Sequence, residues 1–182
     1  GLCRLSSLWP VRSLSVVYIE LFRGTSLLVQ LYWIFFVLPL FGISLPKFEA
    51  GFLSVGLNVG AYGAEIVRGA IQAVPRGQWE AGYALSMSPA KRMRRIILPQ
   101  ALVLMLPPWG NLMIELLKGT ALVALIAVPD LMFVAKQING ATFRSAEAFG
   151  AALLVYYLLA RVLITPAMRG LERAMARRLG RA

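Results

Sequence analysis

The chain has 182 residues, of which 59% are hydrophobic and 15% charged, and its formal net charge is +11. Average soluble domains hold about 45–50% apolar and about 25% charged residues, so this composition excludes a disordered chain and disfavours a soluble enzyme. Histidine is absent and Cys3 is the single cysteine, which excludes His-based catalysis, an internal disulfide and a thiolate metal cluster.

The first predicted element is a membrane span over the uncharged run from Gly24 to Pro46. A hydrocarbon core about 30 Å thick is crossed by about 20 helical residues, and this run is long enough. The chain before it has no initiator Met and no earlier apolar run. We therefore interpret residues 1–17 as a truncated N-terminal edge and expect an upstream helix to be missing.

Three more apolar stretches predict spans, giving four in all. The third contains Pro107 and Pro108, which are expected to kink or loosen the helix there. The last is interrupted only by Arg161, which we expect to face the bundle or to snorkel. The three stretches are Gly51 to Ile71, Ile96 to about Leu125, and Ala148 to Met168.

The basic residues predict the orientation of these spans. Most of the 19 lysines and arginines fall before the first span, in the loop between the second and third spans, and in the C-terminal tail. With four alternating crossings these segments share one side, and the positive-inside rule makes that side cytoplasmic. In so apolar a chain the positive charge indicates contact with anionic lipid and not with nucleic acid.

The middle loop is too charged for lipid and is predicted to form two short helices joined by a turn. Gln78 to Leu85 contains good helix formers, and the second helix is expected to begin with Ser88 as its N-cap and Pro89 at its first position. Pro99 is then expected to disrupt the following turn. Three apolar side chains in this polar loop predict that it docks on a partner. They are Trp79, Tyr83 and Met87.

This loop resembles the cytoplasmic EAA loop of ABC importer permeases. The family pattern is Glu-Ala-Ala, three residues, Gly, nine residues, Ile, one residue, and Leu-Pro. The matching positions here are Glu80, Ala81, Gly82, Ser86, Ile96, Leu98 and Pro99. Gly82 departs from the second Ala of the pattern and Ser86 from its Gly, which leaves less backbone freedom at the turn between the helices.

Longer segments are similar to the polar-amino-acid branch of the same family. These segments are Tyr18–Thr25, Ala61–Ile71 and Leu117–Leu122, and the last is also similar to permeases for ectoine-type solutes. The resemblance implies an all-α polytopic membrane protein with the type I ABC importer permease fold. Because family members have five core helices and four are visible, it also supports a lost first helix. The permease domain is expected over residues 18–182, with the EAA loop at about 77–99.

The resemblance implies a permease subunit that takes up polar amino acids or a related zwitterion such as ectoine into a bacterial cell across the inner membrane. The implied partners are ABC ATPase subunits, an extracytoplasmic solute-binding protein and a second permease subunit, identical or a sister chain. The sequence has no Gly-x-x-x-x-Gly-Lys-Ser/Thr loop to bind ATP phosphates, so ATP hydrolysis is assigned to a partner chain. We predict a transport subunit without catalytic residues, cofactor or metal site.

Two sets of functional residues follow. The expected ATPase-coupling residues are Glu80, Ala81, Gly82, Leu85, Ser86, Met87 and Pro89. The candidate translocation-path residues are Asn58, Asn111, Glu115 and Lys118. Charges within spans are costly and usually functional. Glu115 and Lys118 are three residues apart and can neutralise each other, so a purely structural ion pair stays open.

Two other classes of function remain as alternatives. An integral-membrane enzyme that modifies lipid usually needs clustered acids or histidine, and the eight acidic residues here are scattered along the chain. The other alternative is a purely structural or assembly subunit. Neighbouring genes for an ATPase and a periplasmic binding protein would separate a permease from both alternatives.

Overall fold

The computed structural model describes residues 8–178, and every regular element in that range is helical. The first half comprises α1 (Trp9–Gly24), α2 (Leu27–Tyr32, extended by a π-helical turn Trp33–Val37 and a 3₁₀ turn Leu38–Phe41), α3 (Lys47–Gln72) and α4 (Arg76–Ala84). The second half comprises α5 (Pro89–Arg92, then a π-helical turn Met93–Ile97), α6 (Leu98–Thr120, then a 3₁₀ turn Ala121–Ile126), α7 (Leu131–Thr142), α8 (Ser145–Leu158, then a π-helical turn Leu159–Ile164) and α9 (Thr165–Arg178).

Three continuous helices are long and apolar enough to cross a membrane. They are Lys47–Gln72, Pro89–Ile126 and Ser145–Arg177. A fourth crossing results if the bent pair Trp9–Gly24 and Leu27–Phe41 is counted as one span. The four predicted spans therefore agree with the upper count.

The prediction of one uninterrupted span over Gly24–Pro46 is wrong. The helix begins at Trp9, ends at Gly24, and resumes at Leu27 after a bend of 106°. Residues 9–17, which we interpreted as part of a truncated edge, form the first half of α1. Residues 1–7, Cys3 among them, lie outside the described part of the chain.

The third span is longer than predicted because the second helix of the middle loop continues into it. Pro89–Ile126 is one helical unit of 38 residues. Pro99 is the second residue of α6, and the π-helical turn Met93–Ile97 ends two residues before it. The distortion expected of this proline therefore falls in the preceding turn, and the helix continues through Pro99. Pro107 and Pro108 lie inside α6, which continues through them.

Helix α7 was not predicted, although its sequence contains a start signal. Asp130 is its N-cap, and the Asp130 carboxylate accepts a hydrogen bond from the Phe133 N–H at 2.7 Å. The same carboxylate accepts a hydrogen bond from the Tyr156 hydroxyl at 3.3 Å, which ties α7 to α8.

Within residues 8–178, two apolar clusters contain most of the large buried side chains. One joins α2, the first half of α3 and the segment after α6, through Leu31, Ile34, Ala50, Val55, Val123, Ile126 and Val128. The other joins the end of α3 to the start of α6, through Ala70, Ile71, Val74, Ile97, Ala101 and Met105. Only 11% of the most apolar window of Ser145–Arg177 is buried, which leaves this helix to face lipid or another subunit.

Candidate coupling and translocation sites

Helix α4 lies against the base of the long Pro89–Ile126 helix. The Trp79 indole is half-buried against the second core cluster, and α4 contacts the turn Met93–Ile97. The Gln100 side-chain amide donates a hydrogen bond to the Gln78 side-chain oxygen at 3.0 Å. Trp79 is therefore an internal anchor and not the exposed docking residue that we expected, whereas Tyr83 is 64% exposed.

The turn after α4 has the hydrogen bonds of a Schellman motif. The Ser86 N–H donates to the Tyr83 carbonyl at 2.8 Å, and the Met87 N–H donates to the Gly82 carbonyl at 3.1 Å. Ser86 has φ +50°, the left-handed conformation that glycine adopts without strain. The family's glycine and this chain's serine therefore serve the same turn, and the serine does so at a cost in strain.

Replacing Ser86 with glycine is expected to stabilise the loop by up to about 1 kcal/mol, because the left-handed strain of an L-residue exceeds the added entropy of glycine in the unfolded chain. The control is Ala84→Gly, which introduces the same residue inside a helix and should destabilise by about 1 kcal/mol. Thermal unfolding of the purified protein measures both. Equal destabilisation by the two variants would contradict the assigned turn.

The second helix of the loop begins as predicted. Ser88 is the N-cap of α5, its hydroxyl oxygen accepts from the Lys91 N–H at 3.4 Å, and Pro89 occupies the first turn. This confirms the predicted helix–turn–helix.

Most of the expected coupling residues are accessible at the surface of the loop. Met87 is half-buried. Gly82 is buried and therefore has no surface that a partner could contact. Leu85 is 72% exposed, a large fraction for an apolar side chain. The exposed members are Glu80, Ala81, Leu85, Ser86 and Pro89.

Three of the four candidate path residues lie together on α6. Asn111, Glu115 and Lys118 follow one another at spacings of four and three, so they share one helix face, and all three are exposed. The ion pair that their spacing suggested is absent: within residues 8–178, Glu115 and Lys118 form no salt bridge. Lys118 lines a groove of about 840 Å³ between α6 and α8 that Arg161 also lines.

Asn58 lies elsewhere, on α3, and its side chain reaches the bend between α1 and α2. Its side chain is 9% exposed, and its amide donates to the Phe22 carbonyl and to the Gln30 side-chain oxygen, both at 3.0 Å. The Gln30 amide in turn donates to the carbonyls of Phe22 at 2.9 Å and Thr25 at 3.2 Å. These two amides satisfy backbone carbonyls that the end of α1 leaves free.

An ion cluster lies between α1 and α3. The Arg68 guanidinium contacts the Glu65 carboxylate, three residues earlier on α3, at 2.7 Å. Arg23 approaches the same carboxylate at 3.6 Å from α1. Nowhere between residues 8 and 178 do three His, Cys, Asp or Glu side chains gather closely enough to hold a metal ion.

The bend, the helix–turn–helix and the long helix above it agree with one family of membrane proteins. A family model described as "Binding-protein-dependent transport system inner membrane component" matches residues 2–177. The chain belongs to this family. The permease fold and the role of a transport subunit, both expected from the EAA resemblance, are thereby confirmed.

Proteins similar to the permease carry names that refer to amino-acid transport. A probable amino-acid ABC transporter permease protein of Sinorhizobium fredii, y4tF, is 47% identical over 90% of this chain and 71% of its own length. The L-cystine transport system permease protein TcyB of Bacillus subtilis is 41% identical over 87% of this chain, which spans 64% of TcyB. A crystal structure titled as an amino acid ABC transporter with histidines superposes with a TM-score of 0.89 at 39% identity, covering 95% of this chain and 80% of that one.

Family membership establishes the setting in which the permease works. It is a multi-pass inner-membrane protein of an importer that uses ATPase and binding-protein partners. An integral-membrane enzyme and a purely structural subunit are accordingly not favoured.

Proposed function

We propose that the permease imports an amino acid and that its EAA loop, residues 77–99, lies in the cytoplasm and transmits the movements of a separate ATPase subunit. The observation that carries the coupling role is that α4 has two different faces. Trp79 and Gly82 lie inside, against the long helix, while Glu80, Ala81 and Leu85 face outwards. These outward-facing residues combine a carboxylate with a large exposed apolar side chain, and this combination suits a docking surface better than a surface that meets only solvent.

The loop is connected to the path residues by one continuous helical element. Pro89–Ile126 is helical throughout, so a displacement at its base is carried along the element that holds Glu115 and Lys118. A helix rises about 1.5 Å per residue, which separates Pro89 from Lys118 by about 40 Å, roughly the thickness of the membrane with its headgroups. Movement of an ATPase on one side could therefore reach the solute on the other.

The path face of α6 has the charges that an amino acid requires. Lys118 would contact the solute carboxylate and Glu115 its ammonium group, and neither charge is neutralised by the other within the single chain. Because this face is open in one chain, a second permease subunit, identical or a sister, would close it. We assign Asn58 to support of the bend and remove it from the path, since its amide is already engaged by Phe22 and Gln30.

In the proposed topology the C-terminal tail lies in the cytoplasm and α7 lies on the outer side. The solute-binding protein would deliver its solute there, beside α7 and the exposed Phe143. The positive-inside bias of the loop and tail supports this orientation.

Lys118→Gln tests the proposed path. With the associated ATPase and binding protein in proteoliposomes, we expect the KM for amino-acid uptake to rise roughly tenfold, because a charge-assisted hydrogen bond contributes about 1.5 kcal/mol or more. ATP hydrolysis stimulated by the binding protein should persist. Lys47→Gln, at an exposed lysine at the start of α3, is the matched control.

The solutes compared in that assay are amino acids and ectoine. If the transporter takes up ectoine and no amino acid, the proposed solute class is wrong and ectoine is the solute. An unchanged KM in Lys118→Gln would remove Lys118 from the path.

A further inference from the structure

Arg92 is an unusual cation for a loop expected to display its positive charge. The residue is 5% exposed, and its Nε and Nη1 atoms are buried and have no hydrogen-bond partner in the described part of the chain. It therefore does not present its charge at the surface, where the positive charge of the loop was expected to meet anionic lipid. The neighbouring Arg94 and Arg95 are exposed.

The aromatic side chains of α4 surround this guanidinium. Its central carbon lies 3.6 Å from the centre of the Tyr83 ring and 5.9 Å from the centre of the Trp79 ring. A cation over an aromatic face is attracted by the ring quadrupole, and more strongly when water is excluded. Arg92 thus joins α5, at the base of the long helix, to α4.

Gly82 provides the space for this contact. A Cβ atom at Gly82 would lie 2.5 Å from Arg92 Cδ and 2.8 Å from Arg92 Cγ, both of which are too close for real atoms. An alanine, which the family pattern has at this position, would therefore displace the Arg92 side chain from its stack. The glycine that replaces the family's alanine at position 82 and the buried side chain of Arg92 therefore depend on each other.

We propose that Arg92 is a positioning residue of the coupling machinery, which holds α4 against the base of the Pro89–Ile126 helix so that force on α4 moves that helix. Tyr83 is its partner, and Gly82 is required because it leaves room. The proposal rests on the coupling function proposed above and adds the contact that makes the two helices of the loop move together. Without it, α4 would still bind the ATPase but would slide on the long helix.

The test compares variants of the assembled transporter in proteoliposomes, with solute taken up per ATP hydrolysed as the readout. We expect Arg92→Met to lower this ratio roughly tenfold, the loss that a desolvated cation–aromatic contact of ordinary strength would produce. Arg94→Met is the control, with the same charge change two residues away at an exposed position. Arg92→Lys should recover part of the ratio, since an ammonium stacks less well than a planar guanidinium.

Gly82→Ala tests the steric part of the proposal. Alone it should lower the ratio as much as Arg92→Met does, and in the double variant Gly82→Ala/Arg92→Met it should add nothing. A second pair of variants, at the exposed Tyr83, tests the same contact if the substitutions at buried Gly82 or Arg92 prevent folding. Tyr83→Leu should uncouple the transporter and Tyr83→Phe, which retains the ring, should not.

Three outcomes would overturn the proposal: Arg92→Met behaving as Arg94→Met does, additive losses in the double variant, or equal behaviour of Tyr83→Leu and Tyr83→Phe. If Glu80→Lys uncouples the transporter while these variants do not, only the Arg92 contact is refuted. If Glu80→Lys also has no effect, the coupling function itself fails.

Discussion

Glu80→Lys is expected to reduce ATP-driven uptake by the reconstituted transporter to background, a loss of about 100-fold or more. The side chain is exposed on α4, and the proposed docking surface also holds the exposed Leu85. Reversing one charge at the centre of an interface removes an attraction and adds a repulsion with the same partner group.

Membrane insertion and folding of the same variant should be normal. Glu80 is exposed and has neither a hydrogen bond nor an ion pair within residues 8–178, so the fold does not depend on its carboxylate. Glu172→Lys, with the same charge reversal on α9, is the control and should retain uptake. Full uptake by Glu80→Lys, or equal losses in the two variants, would remove Glu80 from the coupling role.

Gln30→Leu is expected to lower the free energy of unfolding by about 3 kcal/mol. The Gln30 amide donates to the carbonyls of Phe22 and Thr25 and to the Thr25 hydroxyl, and its own oxygen accepts from Asn58. Leucine fills the space but leaves Asn58 and the Thr25 carbonyl each without one of these partners, at about 1–3 kcal/mol for each buried group left unsatisfied. Water cannot replace the lost bonds within a bilayer.

Unfolding of the detergent-solubilised protein, followed by heating or by titration with a denaturing detergent, measures this change. Gln137→Leu is the control, because Gln137 is exposed on α7. Asn58→Leu should show a smaller loss of about 2 kcal/mol, since the Phe22 carbonyl keeps the hydrogen bond from Gln30. A Gln30→Leu variant as stable as Gln137→Leu would show that the bend is held by packing alone.

Features encoded by neighbouring residues could be predicted from the sequence. Ser88 and Pro89 begin a helix because a cap and a fixed φ act within one turn. The spacing from Glu80 to Pro99 specifies the helix–turn–helix, and the apolar runs specify the spans because length and hydrophobicity suffice for a crossing. Even the strained Ser86 lies where the family pattern has glycine.

Features that depend on distant residues were missed. The side chains of Gln30 and Asn58 hydrogen-bond to the bend near Thr25, and an uncharged run of residues carries no periodic pattern that predicts such a bend. Gly24 and the single glutamine in this apolar stretch were the two sequence features that could have indicated it. Counting charges located the loop but could not show that Arg92 is buried, since its position depends on the missing Cβ of Gly82. Asn58 was assigned to the path because sequence does not tell a buried amide from an accessible one.

The proposed coupling requires residues 77–99 to contact the ATPase on the cytoplasmic side. This contact is tested most directly by labelling Leu85→Cys, in a Cys3→Ser background, with a membrane-impermeant thiol reagent. Phe143→Cys, at a side chain that is 88% exposed beyond α7, reports the other side. We expect Leu85→Cys to be labelled only in inverted vesicles and to be protected when the ATPase is bound, with Phe143→Cys labelled only in right-side-out vesicles. Labelling of Leu85→Cys from outside the cell, or in inverted vesicles without protection by the ATPase, would contradict the account.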